Sequence, residues 1–341
     1  MKINRILAID TSCDETAVAV TDKNRVLANY ISTQIEAHRE FGGVVPMLAK
    51  RMHRERLPLL IKLALKRFSK IEAVAVTVGP GLAPALEVGV AAAKELAQKQ
   101  NLPLIAINHM EGHLLSPWAR NRNNRGSGVK DLFPTLGLLV SGGHTQLVLM
   151  KGFGDYRLLG ETVDDAAGEA FDKVAKMLNL GYPGGPVISE LAKKGRSIYD
   201  LPIPMAHSQD LNFSFSGLKT ACLYKIRKIN RKDKNFYCNF AASFEKSVVQ
   251  ALAIKLEKAI LLIKPRQLVL GGGVINNLRL RKEARRVARR FNLPIFTPYT
   301  EKTFTDNAAM IGVCAWYQAQ RNGLVNDING LDRLPNLNFY A

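Results

Sequence analysis

Two histidines four residues apart are the side chains best suited to chemistry in this sequence. His109 and His113 frame the segment HMEGH, directly after the apolar run PLIAIN. In an α-helix each residue turns about 100°, so residues i and i+4 lie about 40° apart on one face and can share a metal ion. Glu111 then lies about 200° from His109 and points elsewhere, unlike the Glu of the zinc-protease pattern HExxH. The segment therefore predicts a metal site and argues against a metalloprotease; the alternative is a helix that merely begins with polar residues.

A metal ion held by two histidines needs further oxygen or nitrogen ligands. The best distant candidate is Asp306, in the polar loop PYTEKTFTDN before an Ala-rich segment. Its carboxylate could complete the site, or it could cap the N-terminus of the following helix. Sequence geometry leaves these two roles equally open.

Glycine-rich turns follow several predicted strands, at 78–82, 140–145, 182–186 and 270–277. Glycine lets backbone N–H groups approach an anion closely, and the N-terminus of a following helix favours negative charge. None of these turns matches GxxxxGK[ST] or a complete GxGxxG. They predict a nucleotide-sized phosphate site that is neither a P-loop nor a standard dinucleotide fold, although each single turn could be purely structural.

The chain is strongly basic, with 48 Lys and Arg residues against 29 Asp and Glu and a net charge of +19. Such an excess favours a polyanionic partner, because Lys and Arg release counterions from phosphates. A helix predicted after Asn277 carries cations on too many sides for one solvated stripe: Arg279, Arg281, Lys282, Arg285, Arg286, Arg289 and Arg290. Smaller clusters lie at 51–56, 120–125 and 225–234. The pattern predicts contact with nucleic acid; a generally basic composition is the alternative.

Short apolar strands must position these residues. The segment 5–20 reads as a strand, a polar turn and a returning strand, and 135–150 repeats this pattern. Between them, the strands 73–79 and 103–108 enclose a helix at 88–98, which is the βαβ pattern of a parallel sheet. The repeated hairpin indicates a duplicated α/β domain.

The second half of the chain continues with predicted helices at 163–178 and 239–263. The Arg/Asn/Gly-rich stretch 120–130 lacks apolar periodicity and marks a domain boundary. The predicted domains are therefore 1–125 and 126–325, followed by a tail at 326–341.

Cysteine usage and apolar runs indicate the cellular setting. The four cysteines form no CxxC pair, which indicates neither a disulfide scaffold nor a Cys zinc site and fits a reducing cytoplasm. The N-terminal apolar run is too short for a signal peptide, and no uncharged apolar run approaches the length of a membrane span. We expect a cytoplasmic protein without membrane partners.

A series of motifs, in order and over nearly the whole chain, resembles the TsaD family, bacterial tRNA threonylcarbamoyltransferases once described as glycoproteases. The motifs are IDTSCDETAVAV, GGVVP, GPGL, HMEGH, LVSGGHTQL, GETVDDAAGEAFDK, YPGGP, FSFSGLKT, GGGVINN and TDNAAMIG. The resemblance implies the actin-like ATPase fold of sugar kinases and Hsp70, with two similar α/β lobes around a central ligand cleft. It also implies an acyltransferase that moves the threonylcarbamoyl group from threonylcarbamoyl-AMP to N6 of adenosine 37, in tRNAs that read codons beginning with A, and releases AMP.

The resemblance assigns roles to particular residues. It implies that His109, His113 and Asp306 bind one divalent metal ion per subunit, Fe²⁺ or Zn²⁺. The implied substrate-binding residues are Leu139, Val140, Ser141, Gly142, Gly143, Asp172, Gly185 and Asn277. The sequence does not identify a general base for this reaction, and Asp10 and Glu15 are candidates only.

The resemblance further implies a TsaB-like paralogue and a TsaE-like ATPase as partners, besides tRNA. Two departures from the family pattern, Met47 where Glu is common and Ala83-Pro84 where Gly is common, affect the expected partner contacts or packing more than the chemistry. Two other functions remain alternatives. A small-molecule kinase or ATPase would use the same glycine turns, and an inert tRNA-binding subunit would explain the basic surface alone.

Overall fold

Two five-stranded sheets organise the chain in a computed structural model that describes residues 3–229 and 234–340. The first sheet contains β1 (Arg5–Asp10), β2 (Glu15–Asp22), β3 (Arg25–Thr33), β4 (Ala73–Gly79) and β5 (Leu104–Asn108), in the order β3-β2-β1-β4-β5. The second contains β6 (Thr135–Val140), β7 (Thr145–Gly152), β8 (Asp155–Glu161), β9 (Gln267–Gly271) and β10 (Ile295–Phe296), in the order β10-β9-β6-β7-β8. The predicted α/β class is confirmed.

Helices connect and cover these strands. They are α1 (Ile35–Arg39), α2 (Pro46–Arg67), α3 (Ala83–Gln100), α4 (His109–Leu115), α5 (Ala167–Met177), α6 (Gly184–Ala192), α7 (Ser216–Lys228), α8 (Lys234–Ile263), α9 (Leu278–Arg290) and α10 (Ala308–Ala319). Pro84 lies in the first turn of α3, where its missing N–H costs nothing. Within the described ranges, none of these helices is both long and apolar enough to cross a membrane.

The two sheets repeat one strand arrangement. In the first, β1 pairs antiparallel with β2 and parallel with β4; in the second, β6 pairs antiparallel with β7 and parallel with β9. The predicted hairpin repeat and the βαβ unit around α3 are therefore present. Strands β4 and β6 are buried at every position, as expected for strands covered on both faces.

The chain divides into two compact units that do not coincide with the predicted domains. Unit 1 comprises Met1–Asp131, Phe153–Asp155 and Phe296–Ala341, and unit 2 comprises Leu132–Gly152 and Tyr156–Ile295. Residues 296–325 were expected with the second domain. They belong to unit 1 because the buried helix α10 packs on β1, β2 and α4.

The segment after α10 also belongs to unit 1 rather than forming a separate tail. The N–H of Val325 donates to the carbonyl of Leu104 at 2.9 Å, and the N–H of Leu334 donates to the carbonyl of Val78 at 2.7 Å. These bonds attach the segment to β5 and β4.

The helix predicted at 163–178 begins later, at Ala167. The carboxylate of Asp164 accepts hydrogen bonds from the Ser214 hydroxyl at 2.6 Å and the Phe215 N–H at 2.8 Å. Asp164 therefore binds the segment that leads into α7 and does not lie in the first turn of α5.

Candidate active-site residues

Helix α4 begins at His109 because Asn108 caps it. The Asn108 Oδ1 accepts from the N–H of Met110 at 2.8 Å and of Glu111 at 3.2 Å. Its Nδ2 donates to the carbonyl of Leu337 at 2.8 Å, so the C-terminal segment holds the cap in place. Asn108 was not among the predicted site residues, although an Asn directly before a helical segment is a recognised capping signal.

The structure brings His109, His113 and Asp306 together. The Nε2 atoms of His109 and His113 lie 3.3 and 3.1 Å from Oδ1 of Asp306. One ligand atom from each residue lies within 4.8 Å of the other two, a group able to hold a metal ion. Two imidazole nitrogens and one carboxylate oxygen suit Fe²⁺ or Zn²⁺, so the donor set fits the expected metal.

Asp306 is not the cap of α10. That role belongs to Asn307, whose Oδ1 accepts from the N–H of Met310 at 3.1 Å. The Asp306 carboxylate instead faces the two imidazoles. The structure thus decides between the two roles that the sequence left open.

Burial and charge oppose each other in this group. Burial disfavours a charged imidazole, yet the carboxylates of Asp306 and Asp10 outweigh it and raise the pKa of His109 to about 10. Burial lowers the pKa of His113. Burial would raise the pKa of Asp306, but the neighbouring histidines lower it well below its usual range. The anionic Asp306 therefore favours a positive charge at this position, which a bound cation can supply in place of the proton.

Asp10 supports His109 from the other side of its ring. The Asp10 Oδ2 lies 3.5 Å from the Nδ1 of His109, and the Asp10 side chain is almost completely buried. A carboxylate behind a ligating histidine fixes the orientation of its ring. Burial, Asp14 and Asp306 raise the pKa of Glu15 to about 10, so this carboxyl group holds its proton more tightly than an ordinary glutamate does.

Glu111 points away from the metal-ligand group, as the helical geometry predicts. Its carboxylate forms an ion pair with Arg321 at 3.3 Å. It therefore lacks the position of the glutamate that activates water in the zinc-protease pattern.

In unit 2, Ser141, Gly142 and Gly143 form the turn between β6 and β7. The N–H of Ser141 donates to the carbonyl of His144 at 2.8 Å, and the N–H of His144 donates to the Ser141 hydroxyl at 3.1 Å. A Cβ at Gly142 or Gly143 would meet no atom within 4 Å. The turn is thus open to an approaching group, whereas the side chains of the preceding Leu139 and Val140 are buried in the core.

The other predicted substrate residues are arranged around α6. The Asp172 carboxylate accepts from the N–H of Gly184 at 2.7 Å, next to Gly185, which also has open space around it. Asn277 caps α9 through the N–H of Leu280 at 2.8 Å and donates to the Ser189 hydroxyl at 2.8 Å. Asp172, Gly185 and Asn277 are therefore connected through this one helix.

The remaining glycine turns are filled by the chain itself. A Cβ at Gly79 would lie 1.8 Å from the carbonyl oxygen of Leu334, and one at Gly81 would lie 2.5 Å from that of Ser12. Gly272, with φ of 93°, packs against the carbonyl of Val140. These glycines permit close backbone packing, the structural role that the sequence left open for each single turn.

Some cations of α9 form ion pairs or are buried, and others are exposed without an ion pair to a described residue. Arg286 pairs with Glu283 and Arg290 with Glu257, at 2.6 and 2.8 Å, and Arg281 is buried. The exposed cations that form no ion pair with any described residue are Lys282, Arg285 and Arg289. They follow the i, i+3, i+7 spacing of one helix face. In the cluster at 225–234, Arg231 and Lys232 lie outside the described residues.

Comparison with known proteins identifies similar chains over almost the full length. The family model described as "TsaD: tRNA N6-adenosine threonylcarbamoyltransferase" matches residues 25–313. A tRNA N6-adenosine threonylcarbamoyltransferase of Carboxydothermus hydrogenoformans is 48% identical over 317 residues, 92% of each chain. One of Thermosipho africanus is 43% identical over 337 residues, 97% of this chain and 99% of the relative.

Solved structures show the same fold at low sequence identity. HypF of T. kodakarensis superposes with a TM-score of 0.65 at 15% identity, over 97% of this chain and 50% of HypF, so this chain spans about half of that protein. The activator of the 2-hydroxyisocaproyl-CoA dehydratase from Clostridium difficile superposes with a TM-score of 0.52 at 15% identity, over 93% and 96% of the two chains. These likenesses confirm the predicted actin-like ATPase fold.

Proposed function

Because this chain belongs to the TsaD family and is a transferase of that family, we propose that it transfers a threonylcarbamoyl group to N6 of adenosine 37 in tRNA. The proposed substrates are tRNAs that read codons beginning with A. The proposed donor is threonylcarbamoyl-AMP, and AMP is the second product. The near full-length similarity to tRNA N6-adenosine threonylcarbamoyltransferases carries this proposal.

His109, His113 and Asp306 are the residues that would hold the metal, Fe²⁺ or Zn²⁺. Their three ligand atoms lie within 4.8 Å of one another and match the donor preferences of these ions. When bound, the ion supplies Lewis acidity toward phosphate and carbonyl oxygens. Asp10 keeps the His109 ring in its ligating orientation.

The residues of unit 2 support binding of the adenylate. The open turn of Ser141, Gly142 and Gly143 offers the backbone N–H groups of the two glycines to a phosphate, and the buried Leu139 and Val140 hold that turn at the end of β6. Asp172, Gly185 and Asn277, connected through α6, are the proposed contacts of the ribose and adenine.

The reaction needs no nucleophile from the protein. Adenosine N6 attacks the carbamoyl carbon of the donor, a C–N bond forms, and the bond from that carbon to the phosphate oxygen breaks, so AMP leaves with the electron pair. The N6 proton passes to a base, for which Asp10 and Glu15 are the candidates in this chain. Hydrogen-bond donors around the leaving phosphate lower the barrier because negative charge accumulates there.

The partners proposed for this reaction are tRNA, a TsaB-like paralogue and a TsaE-like ATPase. The excess of 48 basic over 29 acidic residues supports binding of a polyanion. A tRNA substrate also favours the cytoplasm as the location of the protein.

Reconstitution tests the proposal. The chain is combined with unmodified tRNA, threonylcarbamoyl-AMP and the two helper proteins, and AMP release and the modified nucleoside are measured in parallel. Equal amounts of both products are expected, with little ATP hydrolysis by this chain alone. Rapid ATP hydrolysis by the chain alone, with donor and tRNA unchanged, would instead identify an ATPase or kinase.

A further inference from the structure

A connected series of buried polar side chains in unit 1 leads to the turn between β1 and β2. Its central member is His53 on α2, which is fully buried. The His53 Nε2 lies 2.9 Å from the carbonyl oxygen of Cys13, and its Nδ1 lies 2.8 Å from the Thr16 hydroxyl. Because a carbonyl can only accept, Nε2 carries the proton, and the Thr16 hydroxyl donates to Nδ1.

The series continues to the start of α2. The Gln34 Nε2 lies 3.4 Å from the Thr16 hydroxyl oxygen and 3.3 Å from the His53 Nδ1. The Gln34 Oε1 lies 3.2 Å from the Nε2 of His38, and the N–H of Val45 donates to the His38 Nδ1 at 3.3 Å. The hydrogen bonds of the series thus all run in one direction: each group donates to the next, from the N–H of Val45 to the carbonyl of Cys13.

Both histidines of this series are neutral. Burial lowers the pKa of His53 and of His38, and each ring donates through one nitrogen and accepts through the other. A neutral imidazole with one fixed tautomer is a directional connector between its two neighbours.

The carbonyl that His53 binds belongs to a turn held at successive residues. The Ser12 carbonyl accepts from the N–H of Leu82 at 2.8 Å, and the Asp14 carbonyl accepts from the N–H of Gln34 at 3.0 Å. Between them, the carbonyl of Cys13 is held by the His53 side chain. The turn begins at Asp10, whose Oδ1 accepts from the N–H of Ser12 at 3.2 Å.

We infer that His53 is a positioning residue for the metal-ligand group. Its hydrogen bond to Cys13 fixes the turn, and the turn fixes the carboxylate of Asp10, which lies 3.5 Å from the Nδ1 of His109. His53 therefore acts on a ligand ring through Asp10 and the turn, without contact to substrate. The inference rests on the proposed metal-binding role of His109, His113 and Asp306.

Two substitutions test whether the hydrogen bond to Cys13 is what matters, or only the presence of a polar side chain at position 53. In His53→Gln the amide nitrogen can replace Nε2 and still donate to Cys13. In His53→Asn the shorter side chain can replace only Nδ1 and leaves the Cys13 carbonyl without its donor. Zn²⁺ affinity is measured by competition with a chromophoric chelator, together with kcat and KM for tRNA in the reconstituted reaction.

We expect His53→Gln to bind Zn²⁺ nearly as tightly as the wild type. His53→Asn should bind about tenfold more weakly, as is typical when the support of a metal ligand is lost. The kcat of His53→Asn should fall together with its Zn²⁺ affinity, while its KM for tRNA stays unchanged. The matched control is Leu57→Ala, one turn further along α2, which removes a buried core side chain outside the polar series and should destabilise unit 1 without changing Zn²⁺ affinity.

The outcomes distinguish the positioning role of His53 from the metal site itself. Equal Zn²⁺ affinities for His53→Gln and His53→Asn would overturn the positioning role while the metal site stands. Wild-type protein that binds no Zn²⁺ would remove the metal site itself, and the inference with it. The comparison is between two polar variants and has the destabilised Leu57→Ala beside it, so it does not depend on His53→Ala being stable.

Discussion

At the scale of single residues, His109 has a carboxylate on each side of its ring. Asp306 lies 3.3 Å from Nε2 and Asp10 lies 3.5 Å from Nδ1. Asp306 is placed as a metal ligand beside His109, and Asp10 is placed to support the His109 ring. This asymmetry makes the two aspartates distinguishable by substitution.

Asp306→Asn should lose stoichiometric metal, because the variant lacks the anionic oxygen between the two imidazoles. Asp10→Asn should retain the metal site but weaken its affinity by about 10- to 100-fold. Elemental analysis and Zn²⁺ competition measure the two effects. The double variant His109→Ala, His113→Ala is the reference for a lost site, and undiminished metal in it would contradict the assignment.

Gly142→Val should abolish transfer while leaving the fold intact. A Cβ at Gly142 would meet no atom within 4 Å, so the protein can accommodate the side chain, but the added bulk blocks close approach of a phosphate to the backbone. We expect at least about a hundredfold loss of kcat, as for removal of a transition-state donor. Gly152→Val, at an equally open position at the end of β7, is the control. Normal transfer by folded Gly142→Val would exclude the turn from substrate binding.

At the scale of elements, helix α9 presents one cationic face to solvent. The double variant Arg285→Gln, Arg289→Gln should weaken tRNA binding and reduce the dependence of log affinity on log salt by about one unit per lost phosphate contact. Arg286→Gln should change little, since Glu283 already pairs with this arginine at 2.6 Å. Filter binding over a salt series provides the measurement. An unchanged salt slope in the double variant would exclude this face from the tRNA contact.

At the scale of the whole molecule, unit 1 depends on the segment that follows α10. Besides its backbone bonds to β4 and β5, the segment receives hydrogen bonds from Lys94 Nζ to the carbonyls of Asn329 and Leu331, at 2.7 and 2.9 Å. A chain that ends at Asn322 should therefore unfold at a lower temperature. Hydrogen exchange should accelerate in β4 and β5 but not in β6 and β7. Equal protection of all four strands would show that the segment adds no stability.

The local geometry of this protein follows directly from its amino-acid sequence. Short apolar runs separated by polar turns predicted the repeated hairpins and the βαβ unit, because strands covered on both faces are apolar at successive positions. The i, i+4 spacing likewise placed His109 and His113 on one face of α4, since a helix sets that angle without outside help. The family resemblance extended these patterns to a reaction and to a third ligand.

The contacts between distant segments depend on how the whole chain packs. Asp306 reaches His113 across 193 positions of sequence, and Asn307 rather than Asp306 caps α10. Likewise Arg290 is neutralised by Glu257 from another helix, and the glycines at 79 and 81 are filled by carbonyl groups of Leu334 and Ser12. Periodicity describes a residue relative to its own element, whereas these contacts depend on how elements pack. For that reason the assignment of α10 to unit 1, and with it the approach of Asp306 to the histidines, required the folded chain.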